Sequence, residues 1–332
     1  MEKVLVTGAT GYIGLHCIQQ LLDQGYAVNG SLRSLERKDE IFKSLESHNT
    51  STEHLKLFSF NLNEDEGWDD GMEGCDYLIH VASPIALERK SEDFFVKPAV
   101  AGVKRALKFA KKHNIKKVIL TSSVAAIFHG IELKEYYDEN DWSDPENPSI
   151  DHYSKSKTLA EKAAWDFINN DNELSFSMTT IHPGMVFGPL LINDIDGASA
   201  ELLSKMINGK FPALPDAYFT VVDVRDVAKL HVESLRKNQS DNKRIIATSP
   251  QGINIMEISN ILRKNGYKKA PQNFIPTKMI NSLAPFNKEM KSMAAMVNRG
   301  SYGADITETI SIYNWEPIPL EKTLIDMGNS IK

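Results

Sequence analysis

The stretch Val4-Leu5-Val6-Thr7-Gly8-Ala9-Thr10-Gly11-Tyr12-Ile13-Gly14 decides how this chain folds. Three apolar residues that favour a strand run into glycines spaced three apart. Ile13, Cys17, Ile18, Leu21 and Leu22 then follow at helical spacing, and Gly25 closes the pattern. Strand, tight turn and helix in that order make a phosphate-binding unit. Glycine lets the backbone bend sharply and approach a pyrophosphate, while the unpaired N–H groups at the helix start carry the positive end of its dipole. A second strand at 26–32 supplies the context that separates such a unit from a structural turn. The motif predicts a nucleotide-type cofactor held at Gly8, Thr10, Gly11, Tyr12 and Ile13.

Strand signals at 3–7, 26–32, 55–60, 76–82 and 116–122 alternate with helical segments, which predicts an α/β fold with a parallel, doubly wound sheet of Rossmann type. Residues 151–169 read as a strong helix, with Ala160, Ala163, Ala164 and Phe167 on its apolar stripe, and 175–182 as another strand. Pro183, Gly184, Gly188, Pro189, Gly197, Gly209, Pro212 and Pro215 then break the pattern, before sheet-like pieces return at 219–222 and 244–247. The expected organisation is a nucleotide-binding domain at 1–183 and 219–250, interleaved with a smaller substrate-binding lobe at 184–218 and 251–332. Ligands in such sheets lie beyond the carboxyl ends of the strands. The lobe should close that crevice, with the loops at 85–97, 128–150 and 185–218 shaping the pocket.

The 332 residues, 42% hydrophobic and 25% charged, suffice for a sizeable core, and no repeat or low-complexity tract interrupts them. A net charge of −6 argues against a nucleic-acid surface, so the expected partner is a small molecule. The one basic cluster, Lys108, Lys111, Lys112, Lys116 and Lys117, reads as a solvated face. Met1-Glu2-Lys3 leads straight into the glycine motif and no apolar run reaches membrane-spanning length, which predicts a soluble cytoplasmic protein with no membrane partner. Cys17 and Cys75 suit reduced, buried thiols. His80, His129, His152, His182 and His231 lack metal-ligand spacing, and no metal is expected.

Tyr153 and Lys157 lie four residues apart near the start of the 151–169 helix, on one face. A free phenol, with a pKa of about 10, is a poor proton donor at neutral pH, and a cation close by lowers that value. Thr121-Ser122-Ser123 ends an apolar strand at the carboxyl edge, where a hydroxyl can hydrogen-bond a carbonyl oxygen as charge develops on it.

With these pieces the chain resembles the extended short-chain dehydrogenases/reductases over nearly its whole length. The carriers are Thr7 to Gly14, His80-Val81-Ala82-Ser83-Pro84, Thr121-Ser122-Ser123, Tyr153-Ser154-Lys155-Ser156-Lys157 and Pro183-Gly184-Met185-Val186-Phe187-Gly188-Pro189. The His-Val-Ala-Ser-Pro and Val-Phe-Gly-Pro stretches are most similar to the branch of dihydroflavonol 4-reductases, cinnamoyl-CoA reductases and yeast-type carbonyl reductases. The resemblance implies an NADPH-dependent reductase acting on a small aldehyde or ketone. It makes Tyr153 the proton donor, Lys157 its partner and the holder of the nicotinamide ribose, and Ser123 the group that orients the carbonyl, with Ser122 as the alternative. It also places Val81, Ala82, Ser83, Pro183, Gly184 and Val186 along the cofactor, and Asn61 and Leu62 near the adenine, Asn61 standing where the family usually carries Asp. Pro84, His129, Met185 and Tyr218 are candidates for the substrate pocket.

The end of the second strand indicates which cofactor is used. Gly30-Ser31-Leu32-Arg33 has no carboxylate to grip a ribose diol, and Arg33, assisted by Arg37 or Lys38, suits the 2′-phosphate of NADP. Glu36, Asp39 and Glu40 keep NAD open as an alternative. Two other functions remain open: a nucleotide-sugar epimerase or dehydratase on the same fold, and a non-enzymatic NADP-sensing regulator. Oligomeric state is left open.

Overall fold

A computed structural model describes residues 1–83, 92–171, 173–192 and 197–331. Seven strands form one parallel sheet: β1 (Lys3–Thr7), β2 (Ala27–Leu32), β3 (Leu55–Ser59), β4 (Tyr77–His80), β5 (Lys117–Thr121), β6 (Ser177–Pro183) and β7 (Lys243–Ala247). Their order is β7-β6-β5-β4-β1-β2-β3. The chain therefore builds outward from β1 to β3, returns to β4 on the other side of β1, and leaves a crevice at the carboxyl ends where the order reverses.

Both faces of the sheet are covered, which explains why its strands are apolar without alternation. Val4, Val6, Val28, Ile79, Ile119 and Ile181 pack on one side with Leu15, Ile18 and Leu21 of helix α1 (Tyr12–Asp23). On the other side Leu5, Leu78, Val118, Leu120 and Met178 meet helices α2 (Glu92–Lys112) and α3 (His152–Asn170). Asp151 starts α3 by accepting the Ser154 amide at 2.9 Å. The stripe expected for α3 is present: Ala163 and Ala164 are buried, and Ala160 and Phe167 pack beside them.

A third core, of Phe187, Leu203, Met206, Leu214, Ile258, Leu262, Leu324 and Met327, holds the irregular second half together. The two returning sheet pieces part company. Residues 243–247 join the large sheet as β7, whereas Val221–Asp223 pair with Met185–Phe187 in a separate two-stranded sheet. Of the expected loop at 85–97, residues 92–97 are the first turns of α2, and 84–91, with the candidate Pro84, lie outside the described residues. The basic cluster also divides. Lys108, Lys111, Lys112 and Lys116 pair at the surface with Asp65, Asp171, Asp69 and Asp76, but Lys117 is buried, with Asp241 and Ser240 as partners. Both cysteines are buried and free, and burial pushes the Cys75 thiol up to about 12. No helix among the described residues is long and apolar enough to cross a membrane.

Candidate active site

The glycine turn closes β1 onto α1. Gly8 has φ +77°, in the left-handed region, and its carbonyl accepts the Gly11 amide at 2.9 Å. A Cβ on Gly14 would lie 2.3 Å from that same carbonyl oxygen, so helix and turn approach as closely as they do only because position 14 has no side chain. No side chain caps the start of α1, and its first turn contains no acid, which leaves N–H donors and positive potential for an anion. Tyr12 uses its hydroxyl to bond the Gly188 carbonyl at 2.5 Å, and His16 bonds the Pro189 carbonyl at 3.0 Å. Both side chains thereby tie the turn to the lobe.

Thr7 joins β1 to β4. Its hydroxyl oxygen accepts the amides of Val81 and Ala82, each at 3.1 Å, and lies 2.9 Å from His80 Nδ1. With its lone pairs taken, the hydroxyl has only a proton to offer, so Nδ1 accepts and the neutral ring carries its hydrogen on Nε2. Burial, reinforced by the Lys157 ammonium, lowers the His80 pKa to about 3.

At the end of β2, Arg33 and Lys38 are exposed and have no ion-pair partner among the described residues. Arg37 pairs with Glu40 at 2.7 Å. Asn61 accepts the Asn63 amide with its side-chain oxygen at 2.7 Å, which already engages the atom expected to face the adenine. The Leu62 carbonyl accepts from Arg105 of α2.

At the end of β5 the two serines diverge. Ser122 donates to Glu161 Oε2 at 2.6 Å, beneath the crevice, whereas Ser123 lies beside the Tyr153 phenol and favours its ionised form, and accepts the Ala125 amide at 3.1 Å. Tyr153 is half-buried, and burial raises its pKa against the opposing effect of Ser123. The lowering of Tyr153 by Lys157 that the helix spacing predicts is absent. Lys157 instead turns inward, is 6% exposed, and donates to the Thr121 carbonyl at 3.3 Å, its pKa lowered to about 8 by burial against the pull of Glu161. A cavity of about 20 Å³ lies behind it, lined by His80, Ser83, Thr121, Ser122, Lys157 and Glu161 among others.

The remaining candidates scatter. Pro183 ends β6, the Gly184 amide bonds the Ala247 carbonyl at 3.0 Å, and Val186 packs on the sheet's core. Met185 packs into the lobe core, and Tyr218 pairs with Asn254. His129 bonds Ser143 through its amide, and burial together with the nearby Arg299 lowers its pKa to about 4. Sequence reasoning missed Thr7, Glu161 and Arg244. Glu161 continues the four-residue spacing of Tyr153 and Lys157, a signal that was available.

The sequence pattern of the 3-beta hydroxysteroid dehydrogenase/isomerase family matches residues 5–251. The chain belongs to that family. Among family relatives, a Candida albicans protein provisionally named an NADPH-dependent methylglyoxal reductase is 31% identical, over 79% of this chain and 82% of its own length. The cinnamoyl-CoA reductase of Medicago truncatula is 32% identical over 79% of this chain and 80% of its own. The crystal structure of Gre2 from Candida albicans in complex with NADPH superposes with a TM-score of 0.81 at 27% identity, covering 100% of this chain and 98% of that one. Family membership places the chain among the extended short-chain dehydrogenases/reductases, with the seven-stranded sheet they share.

Proposed function

We propose that the chain is an NADPH-dependent reductase of a small aldehyde or ketone, with Tyr153 as the proton donor. The observation that carries this reading is the Tyr153 phenol lying beside Ser123 at the carboxyl edge of the sheet, with Lys157 on the same helix donating to the Thr121 carbonyl. The residues present fit the cofactor. The uncapped start of α1 and the side-chain-free approach at Gly14 suit a pyrophosphate, and the exposed Arg33 and Lys38 suit a 2′-phosphate. Two of the relatives described above are named for or bound to NADPH, which supports the same choice.

When bound, NADPH supplies the hydride that attacks the carbonyl carbon. The protein's part is to orient the carbonyl and handle the proton. Burial keeps the Tyr153 phenol protonated at neutral pH, the state in which it gives a proton to the carbonyl oxygen. Ser123 donates to that oxygen as its negative charge grows, and Lys157 holds the nicotinamide ribose. Gly8, Thr10, Gly11, Tyr12 and Ile13 take the pyrophosphate, Val81 to Ser83 with Pro183, Gly184 and Val186 border the nicotinamide half, and Asn61 with Leu62 meets the adenine. The domain of 1–183 and 219–250 holds the cofactor, and the lobe of 184–218 and 251–332 receives the carbonyl compound near His129, Met185 and Tyr218.

The test is oxidation of NADPH and NADH over a panel of aromatic aldehydes, aliphatic aldehydes, diketones and a dihydroflavonol, with Tyr153→Phe as the control. The expected result is NADPH-dependent turnover that the substitution lowers by at least about 100-fold while NADPH still binds. Tight binding without turnover on any carbonyl points to a sensing role. A dinucleotide that survives purification and is recycled points to an epimerase or dehydratase.

A further inference from the structure

We propose that Glu161, one helical turn beyond Lys157, is a positioning residue that holds Lys157 as a cation and fixes the strand end that carries Ser123. The carboxylate is 1% exposed and gathers donors from α3, β6, β7 and the end of β5. Ser122, just past the end of β5, reaches Oε2 at 2.6 Å, His182 Nε2 of β6 reaches it at 2.8 Å, and Arg244 Nε of β7 reaches Oε1 at 2.7 Å. Trp165, on the same helix, donates to Oε1 at 3.1 Å, and Thr180 of β6 lies 3.4 Å away. Arg244 also donates to the carbonyls of Glu139 and Asp141, each at 2.6 Å, and stacks on Trp142. The hub therefore fastens α3 to three neighbouring strands and to the segment leading into Tyr153.

The geometry gives the hub an electrical role as well. Glu161 and Lys157 line the same small cavity, and among the described residues the other polar side chains that line it, His80, Ser83, Thr121 and Ser122, carry no charge. His80 faces it from β4 as a neutral imidazole, and the Thr121 carbonyl faces it from β5. The Thr121 hydroxyl is occupied by His231, whose Nδ1 bonds the Val227 carbonyl. From α2 only Ala99 and Val103 reach the cavity. Burial pulls the Lys157 ammonium toward neutrality, and Glu161 is the group that opposes this. Against the opposing effect of burial, His182 and the Arg244 guanidinium hold Glu161 ionised well below the usual carboxylate range. Ser122, adjacent to Ser123, is held by the same carboxylate, so charge and geometry at the proposed catalytic groups share one anchor.

The consequence for catalysis rests on the reductase reading, but the test does not need turnover. Protein labelled with ¹³C at lysine Cε is titrated by NMR, and the Lys157 signal is assigned by its loss in Lys157→Met. In the unmodified protein the signal should titrate near 8. In Glu161→Gln the midpoint should fall by about one unit or more, because a buried charge within a helical turn is weakly screened. Glu161→Asp keeps the charge and should return the midpoint to within about half a unit of 8. The pair Glu161→Gln with Arg244→Met removes both charges, so Arg244 is not left as an unpaired buried cation if the single variant fails to fold, and it should show the same fall. The pH at which NADPH affinity declines should move with the midpoint. A Lys157 titration unchanged in either Gln variant overturns the proposal, as does an equal fall in the Asp and Gln variants. Failure of the reductase reading would appear as a silent carbonyl panel and would leave these titrations as they are.

Discussion

Ser122 and Ser123 are consecutive, yet one hydroxyl goes into the Glu161 hub and the other lies on the side of Tyr153. The cause is the pleat: neighbouring residues on an extended backbone point to opposite sides, so only one can face the crevice. Arg33 is the residue whose chemistry is most open to measurement. It is exposed at the end of β2 and has no carboxylate partner among the described residues, so its guanidinium is available to a phosphate. Arg33→Glu should weaken NADPH by about 10- to 100-fold and leave NADH within about threefold, since only NADPH carries the 2′-phosphate. Fluorescence titration with both nucleotides measures this. An equal loss of both would remove Arg33 from the phosphate site.

At the scale of elements, α1 depends on its glycine turn as well as on its apolar face. A methyl group at position 14 would meet the Gly8 carbonyl oxygen at 2.3 Å, and backbone on both sides leaves little room to relax. Gly14→Ala should therefore destabilise the protein by about 1–3 kcal/mol and weaken NADPH binding together. Denaturant unfolding and nucleotide titration test this, and a variant with unchanged stability and affinity would refute the tight approach. The strands of the large sheet were legible because each is a short apolar run between breakers. The role of 219–222 was not, because two or three apolar residues fit either sheet, and their partner was decided by where 185–187 lies. Likewise 92–97, expected within a pocket loop, are helical, and α2 runs on through Pro98.

Across the whole molecule, buried histidines set the response to acid. His16 and His231 have pKa values lowered to about 4 and His80 to about 3, all by burial, against about 6.5 in an unfolded chain. As pH falls below about 6.5 the unfolded chain takes up protons that the folded chain refuses, so stability present above that pH is lost on acidification. Glu161 acts in the same direction at lower pH, because its folded pKa lies below the ordinary carboxylate value. The thermal midpoint should fall steadily from pH 6.5 to pH 4 in scanning calorimetry. A midpoint that stays level or rises over that range would contradict neutral burial of these rings.

The sequence by itself determined the doubly wound sheet, the glycine turn and the helix that carries Tyr153 and Lys157, because each depends on spacing within a single element or between adjacent ones. Tertiary structure alone decided which serine faces Tyr153, that Lys157 turns toward Thr121, and that Glu161 binds donors from β6, β7 and the end of β5. Those outcomes depend on groups between 19 and 83 positions apart meeting at one buried point. Burial also reversed the expected shift of the Tyr153 phenol, since desolvation depends on everything packed around a group and not on the one charge four residues away.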